Sequence, residues 1–160
     1  MKPVIIVHHH EITLKGNNRQ KFERLLLKNV RRSLADLLPS SAIGGGYGKF
    51  IIHLEAESQT DVITARLANV FGLANICTGL QVNQSMDEFT EAAINLLEGK
   101  TFRTMKVETR RPDKNFPQRS MEVSRIVGGL VCDRFNVRAK MEQPDETVFI
   151  EIVDGKANVF

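Results

Sequence analysis

The densest chemistry in the chain lies between Arg110 and Arg119, where Arg110, Arg111, Lys114 and Arg119 fall within ten residues that also hold Pro112 and Pro117. Ser120 follows as a helix cap, so unpaired amides and the positive end of a helix dipole stand beside those cations. That combination suits a phosphate. The two prolines reduce the entropy lost when such a loop is ordered on a ligand. Phe116 has two readings, a platform for an unpaired base or a plug on the core. Lys106, just upstream, extends the basic cluster. A second constellation occupies residues 15–32, where Lys15, Arg19, Lys21, Arg24, Lys28, Arg31 and Arg32 oppose a single Glu23. Like charges at i and i+4 repel, whereas an ordinary solvated helix mixes Glu with Lys. An anion lying across that face offsets the repulsion.

Other chemistries are not assembled. Cys77 and Cys132 are far apart, form no Cys-x-x-Cys or Cys/His cluster and read as core thiols rather than nucleophiles, disulfide partners or zinc ligands. His8, His9 and His10 alternate direction at a strand end and do not converge on one ion without a bend. Residues Gly44 to Gly48 lack the Gly-Lys-Ser/Thr ending of a phosphate loop and read as a hairpin. The 160 residues are 42% hydrophobic and 26% charged with a net charge of +3, so the two basic stretches are balanced by an acidic remainder. No apolar run approaches the roughly 20 residues of a membrane span, and the expectation is a soluble cytoplasmic chain without a membrane partner.

The elements that must position these residues follow from periodicity. Val4 to Val7 reads as a buried strand. Gly16-Asn17-Asn18 turns into a helix with Phe22, Leu26, Val30, Leu34 and Leu37 inward, ended by Pro39. A weak strand near Ala42, a strand over 50–54, a helix capped by Thr60 or Asp61 with Val62, Ile63, Leu67 and Val70 inward, Gly72 and a strand over 73–82 complete the order β-α-β-β-α-β. That order is the ferredoxin-like split βαβ unit. A second α/β unit opens at Ser85-Met86-Asp87-Glu88, which has capping-box form. Its helix buries Met86, Phe89, Ala93, Leu96 and Leu97. An alternating strand over 101–110 follows, then a helix with Val123, Val127, Leu130 and Val131 inward, an alternating Val137/Ala139/Met141 segment, and a hairpin turning at Asp154-Gly155. The fold class is α+β, with the boundary at Asn83-Gln84 dividing residues 1–82 from 83–160.

The stretch Glu11-Ile12-Thr13-Leu14-Lys15-Gly16-Asn17-Asn18-Arg19 through Phe22-Glu23 resembles the N-terminal ferredoxin-like segment of tRNA 4-thiouridine synthetases. Arg110 to Pro117, Ser120-Met121-Glu122-Val123, Val127-Gly128 and Gln143-Pro144-Asp145 before a Val-Phe-Ile-Glu-Ile strand are similar to a THUMP domain. The resemblance covers essentially the whole chain. In place of the family's Arg-Tyr-Gly-like stretch stands His8-His9-His10, which leaves the role of the first loop open. The resemblance implies a tRNA-binding module that holds the acceptor stem and the single-stranded 3′ end while a separate pyrophosphatase domain, using ATP, adenylates and thiolates a uridine. The same family is tied to thiamine biosynthesis. Neither a Ser-Gly-Gly-x-Asp-Ser loop nor a persulfide-carrying cysteine is found here, so the expectation is a non-catalytic fragment with no cofactor of its own. The alternatives are a THUMP-type module of another tRNA-modifying enzyme or a stand-alone adaptor, and, further off, a ferredoxin-like regulatory domain for a phosphate metabolite. Oligomeric state, a homodimer included, stays open.

Overall fold

A computed structural model of the chain describes residues 1–9, 17–46, 48–56 and 59–160. Lys15, His10, Tyr47 and the family-like 11–16 stretch lie outside the described residues. The chain divides into two compact units, Lys2–Thr78 and Gly79–Phe160, the latter with Met1.

In the first unit the β-branched run becomes β1 (Lys2–His9), followed by α1 (Asn17–Ser33), a short 3-10 turn (Ser40–Ala42), β2 (Ile43–Gly46), β3 (Lys49–His53), α2 (Thr60–Leu67) and the start of β4 (Leu73–Asn83). Strand order is β2-β3-β1-β4, with β1 and β2 both antiparallel to β3. This is the expected split βαβ order. Leu26, Val30 and Leu34, one helical turn apart, bury against Ile5, Val7, Phe50 and Ile52 of the sheet and Ile63 and Leu67 of α2. Gly44, Gly45 and Gly46 of β2 pair antiparallel with Ile51, Phe50 and Lys49 of β3, the pairing a hairpin requires.

Several local expectations need correction. The first helix stops at Ser33, before Pro39, because the Ser33 carbonyl accepts a hydrogen bond from Arg66 Nη1 at 3.0 Å and the chain continues as turns. Neither Thr60 nor Asp61 caps α2; Gln59 precedes it without a side-chain cap bond. Val62 is exposed because the buried stripe of this short helix is Ile63 and Leu67, a full turn apart.

The second unit holds the rest of β4, α3 (Met86–Leu97), β5 (Thr104–Arg110), α4 (Ser120–Phe135), β6 (Arg138–Ala139), β7 (Glu146–Val153) and β8 (Lys156–Val159). Strand order is β4-β8-β7-β5-β6. β8 is antiparallel to both β4 and β7, while β5 is parallel to β7 and β6. Asp154 at φ 51° and Gly155 at φ 74° form the two-residue turn between β7 and β8 with both residues left-handed, the type I′ geometry that matches strand twist. The core joins Phe89, Ala92, Ala93 and Leu97 of α3 and Val123, Val127 and Val131 of α4 to Met105, Val107, Val148, Ile150 and Ile152 of the sheet. Leu130 does not join it; at 49% exposure it sits about 100° round the helix from Val131.

The expected capping box at Ser85 also differs. Its side chain makes no cap bond, and Glu88 turns instead to the N–H and Nδ2 of Asn83 at 2.9 and 2.8 Å. Those bonds, the Asn83 side chain foremost, hold the Glu88 carboxyl below its ordinary range.

Candidate nucleic-acid interface

The first basic cluster is laid out by α1. Lys21, Arg24, Lys28 and Arg32 are exposed on the arc opposite Leu26 and Val30. Arg24 has only a 3.5 Å bond from Nη2 to Gln20 Oε1, and among the described residues Lys21, Lys28 and Arg32 have no side-chain partner. Two other expected contacts are already engaged. Arg31 Nη2 donates to the Ile43 carbonyl at 2.9 Å, tying α1 to β2. Arg19 Nε donates to Glu23 Oε1 at 3.0 Å, and the same oxygen lies 3.4 Å from His9 Nε2. Arg31 is therefore a clamp of the unit rather than a free cation.

The second cluster is built by the loop between β5 and α4. Arg111 Nη1 donates to the carbonyls of Phe116 and of Gln118, the latter at 2.9 Å, so its guanidinium shapes the loop from within. Phe116 is 5% exposed and packs on Phe89 at 5.5 Å between ring centroids. It is the plug of the two readings, and its ring faces are not open to a base. Asp113 accepts from Gln84 Nε2 and from the Asn115 N–H, both at 3.0 Å, and these bonds, Gln84 first, lower its carboxyl from the ordinary value. The loop is thus held by hydrogen bonds of its own and by the burial of Phe116. Arg110, Lys114 and Arg119 remain outward, with no side-chain partner among the described residues.

Ser120 is the first residue of α4 rather than its cap. Arg119 holds the cap position in extended conformation without a side-chain bond, so the first-turn amides of a 16-residue helix keep no side-chain acceptor. Lys106 is paired with Glu108 on the same face of β5.

These parts surround a groove of about 1030 Å³ lined by Met105, Val107, Arg110, Arg119, Ser120, Met121, Arg125, Gly128, Cys132 and Met141, among others. It is open because β6 pairs only with Thr104 and Met105. Beyond Met105 the outer edge of β5 has no strand neighbour among the described residues. Ser124 Oγ donates to Thr109 Oγ1 at 2.9 Å, and Gly128 of α4 faces Val107 of β5, so helix and strand meet at the floor. The groove thus has an apolar base, a row of backbone groups on one wall and three unpaired guanidinium groups at its rim, beside Glu122 of the first turn of α4 and the Lys106–Glu108 pair. It can hold an extended anionic ligand with unpaired apolar faces.

Sequence reasoning missed Arg125, Met121 and Met141 in this groove. Arg125 stands on the exposed side of α4, and its offset from the Val123/Val127/Val131 stripe was the available signal. The two-residue length of β6, which opens the groove, has no counterpart in the alternating Val137/Ala139/Met141 pattern.

Cys132 is buried and Cys77 half-buried. Burial raises both thiols above the usual value, which keeps them protonated and poorly nucleophilic near neutrality. Cys77 is therefore less enclosed than a core thiol. Among the described residues no cluster could hold a metal ion, and no helix is long and apolar enough to cross a membrane.

The family model of the ThiI ferredoxin-like domain matches residues 4–77, and that of the THUMP domain matches 83–160. A probable tRNA sulfurtransferase of Thermoanaerobacter pseudethanolicus is 35% identical over 153 residues, covering 95% of this chain and 40% of that protein. A crystal structure of a 4-thiouridine synthetase–RNA complex with bound ATP matches all of this chain and 41% of that one, with a TM-score of 0.82 and 25% identity. A crystal structure of a Pyrococcus horikoshii protein matches with a TM-score of 0.83 and 27% identity, over 99% of this chain and 53% of that one. The chain spans about 40% of the length of the curated relatives it matches. With the split βαβ unit and the parallel β5–β7 unit each matched along nearly its full length, the chain belongs to the ThiI ferredoxin-like and THUMP domain families, joined in tandem.

Proposed function

We propose that this chain is the tRNA-binding module of a tRNA-modifying enzyme, holding the acceptor stem and the single-stranded 3′ end for uridine thiolation by a separate catalytic domain. The observation that carries the reading is the groove beside β5. Arg110, Arg119 and Arg125 crowd its rim without carboxylate partners among the described residues, and the first-turn amides of α4 open onto it. Phosphates satisfy both, while the apolar floor accepts unstacked bases. Lys114 adds charge from the adjoining loop. The α1 stripe supplies a second run of cations suited to a duplex backbone, which is held by shape and charge rather than by base edges. The RNA complex of a related synthetase supports RNA as the ligand class. Adenylation with ATP and sulfur transfer belong, in this reading, to the catalytic domain.

The test compares intact tRNA with the same tRNA trimmed of its 3′ terminus, using the wild-type chain and an Arg110→Ala/Arg119→Ala/Arg125→Ala variant. The wild type is expected to prefer intact tRNA, and the variant to lose most of that preference. Equal loss on both RNAs would make the groove a general backbone contact and remove the role in end recognition.

A further inference from the structure

Phe71 is 97% exposed, the largest exposure of any bulky apolar side chain among the described residues. Leaving such a ring in water forgoes the favourable burial of its apolar surface. The turn that presents it is not loose. Gly72 follows at φ 96°, and its missing Cβ would lie 3.4 Å from both Phe22 and Leu26 of α1, so the backbone is pressed against the helix while the ring projects outward. Two shallow clefts flank the ring. One of about 510 Å³ is lined by Phe22 and residues 68–73. The other, about 530 Å³, runs along Leu25, Asn29 and Arg32 of α1. Leu25 is itself 57% exposed. At 100° per residue, Arg32, Lys21 and Lys28 come next round the helix from Leu25. An apolar lip therefore borders the basic stripe.

We propose that Phe71 is a stacking platform for an unpaired nucleobase of an RNA whose phosphates run along Lys21, Lys28 and Arg32. This rests on the RNA-binding reading above and adds to it a base subsite in the first unit. Stacking needs an accessible aromatic face beside a cationic track, and it tolerates any base because every base has a π-face. A second copy of the chain is a poorer occupant. A two-fold contact over this patch would bring the cations of the stripe toward their own counterparts, with no carboxylate of the patch to offset them.

The chain contains no tryptophan, so Phe71→Trp installs a single fluorescent reporter at the site. Full-length tRNA is expected to quench that indole while binding with wild-type affinity. A blunt, fully paired RNA duplex of the acceptor-stem sequence should bind without quenching. Phe71→Ala should lower tRNA affinity about tenfold, in the range of one lost base stack, and leave duplex affinity unchanged. Bound tRNA without quenching, or wild-type tRNA affinity in Phe71→Ala, would overturn the platform while leaving RNA binding intact. A wild-type chain that binds neither RNA would overturn both readings. A Phe71→Ala variant that turns a dimer into a monomer with undiminished tRNA affinity would assign the patch to a second copy and likewise overturn the platform.

Discussion

The two basic clusters contain similar numbers of cations but deploy them differently. On α1 the helical period decides which side chain faces where, and most of the stripe points outward, with Arg31 and Arg19 turned to partners of their own unit. In the loop before α4 no period operates. Arg111 is drawn in to hold the Phe116 and Gln118 carbonyls, Phe116 fills the core, and Asp113 pins the loop through Gln84. The lesson is that a count of cations does not identify an anion site. What identifies it is the subset whose hydrogen-bonding groups the fold has not already used.

That contrast can be broken most severely at Phe116. Phe116→Ala should destabilise the second unit by about 3 kcal/mol, the usual cost of deleting a buried aromatic ring. Arg111→Ala should follow at about 2 kcal/mol, since two carbonyls lose a charged donor. Both belong in a denaturant titration. A surface-like effect within about 0.5 kcal/mol for either would return that residue to the pool of free ligand contacts.

The helix offers the matching test. Lys21→Glu/Lys28→Glu should keep stability near wild type and weaken tRNA binding, whereas Arg31→Ala should lower stability by about 1 kcal/mol through the lost bond to Ile43 and affect affinity less. Unchanged affinity in the folded double variant would make the stripe an ordinary solvated face.

A smaller difference separates the units in acid. In the first, burial foremost lowers His53. A depressed histidine favours the folded state above its unfolded value near 6.5, and that contribution is lost as pH falls through the folded value. In the second, bonds from the Arg103 and Thr104 amides lower Asp145, and Gln84 and Asn83 lower Asp113 and Glu88. Their contribution is present above roughly pH 4 and lost below it by the same sign rule. Amide-exchange protection followed against pH should therefore decline in the first unit while it holds in the second. Simultaneous decline near pH 4 would remove the role given to His53.

The fold was legible because its signals are periodic. The i, i+4 stripes of α1, α3 and α4 and the Asp154-Gly155 turn state their geometry locally. The end of α1 and the choice between the two readings of Phe116 depend on partners distant in sequence, Arg66 and Phe89. At Ser85 the deciding partner is local, Glu88 taking Asn83 five residues before it. The site was legible as charge and only partly as geometry. Its loop cations were visible, but Arg125 and the open edge of β5 depend on how short β6 is, and no residue near it announces that.

The most direct measurement of the central claim is the salt dependence of tRNA affinity for the intact chain. It should be compared with Arg110→Ala/Arg119→Ala/Arg125→Ala and with Arg31→Ala, by anisotropy of labelled tRNA. Each phosphate contact contributes about one to the slope of log affinity against log salt. The triple variant is expected to flatten the slope by about two to three and Arg31→Ala to leave it unchanged. A triple variant with the wild-type slope, or an Arg31→Ala slope as flat as that of the triple variant, would contradict the account.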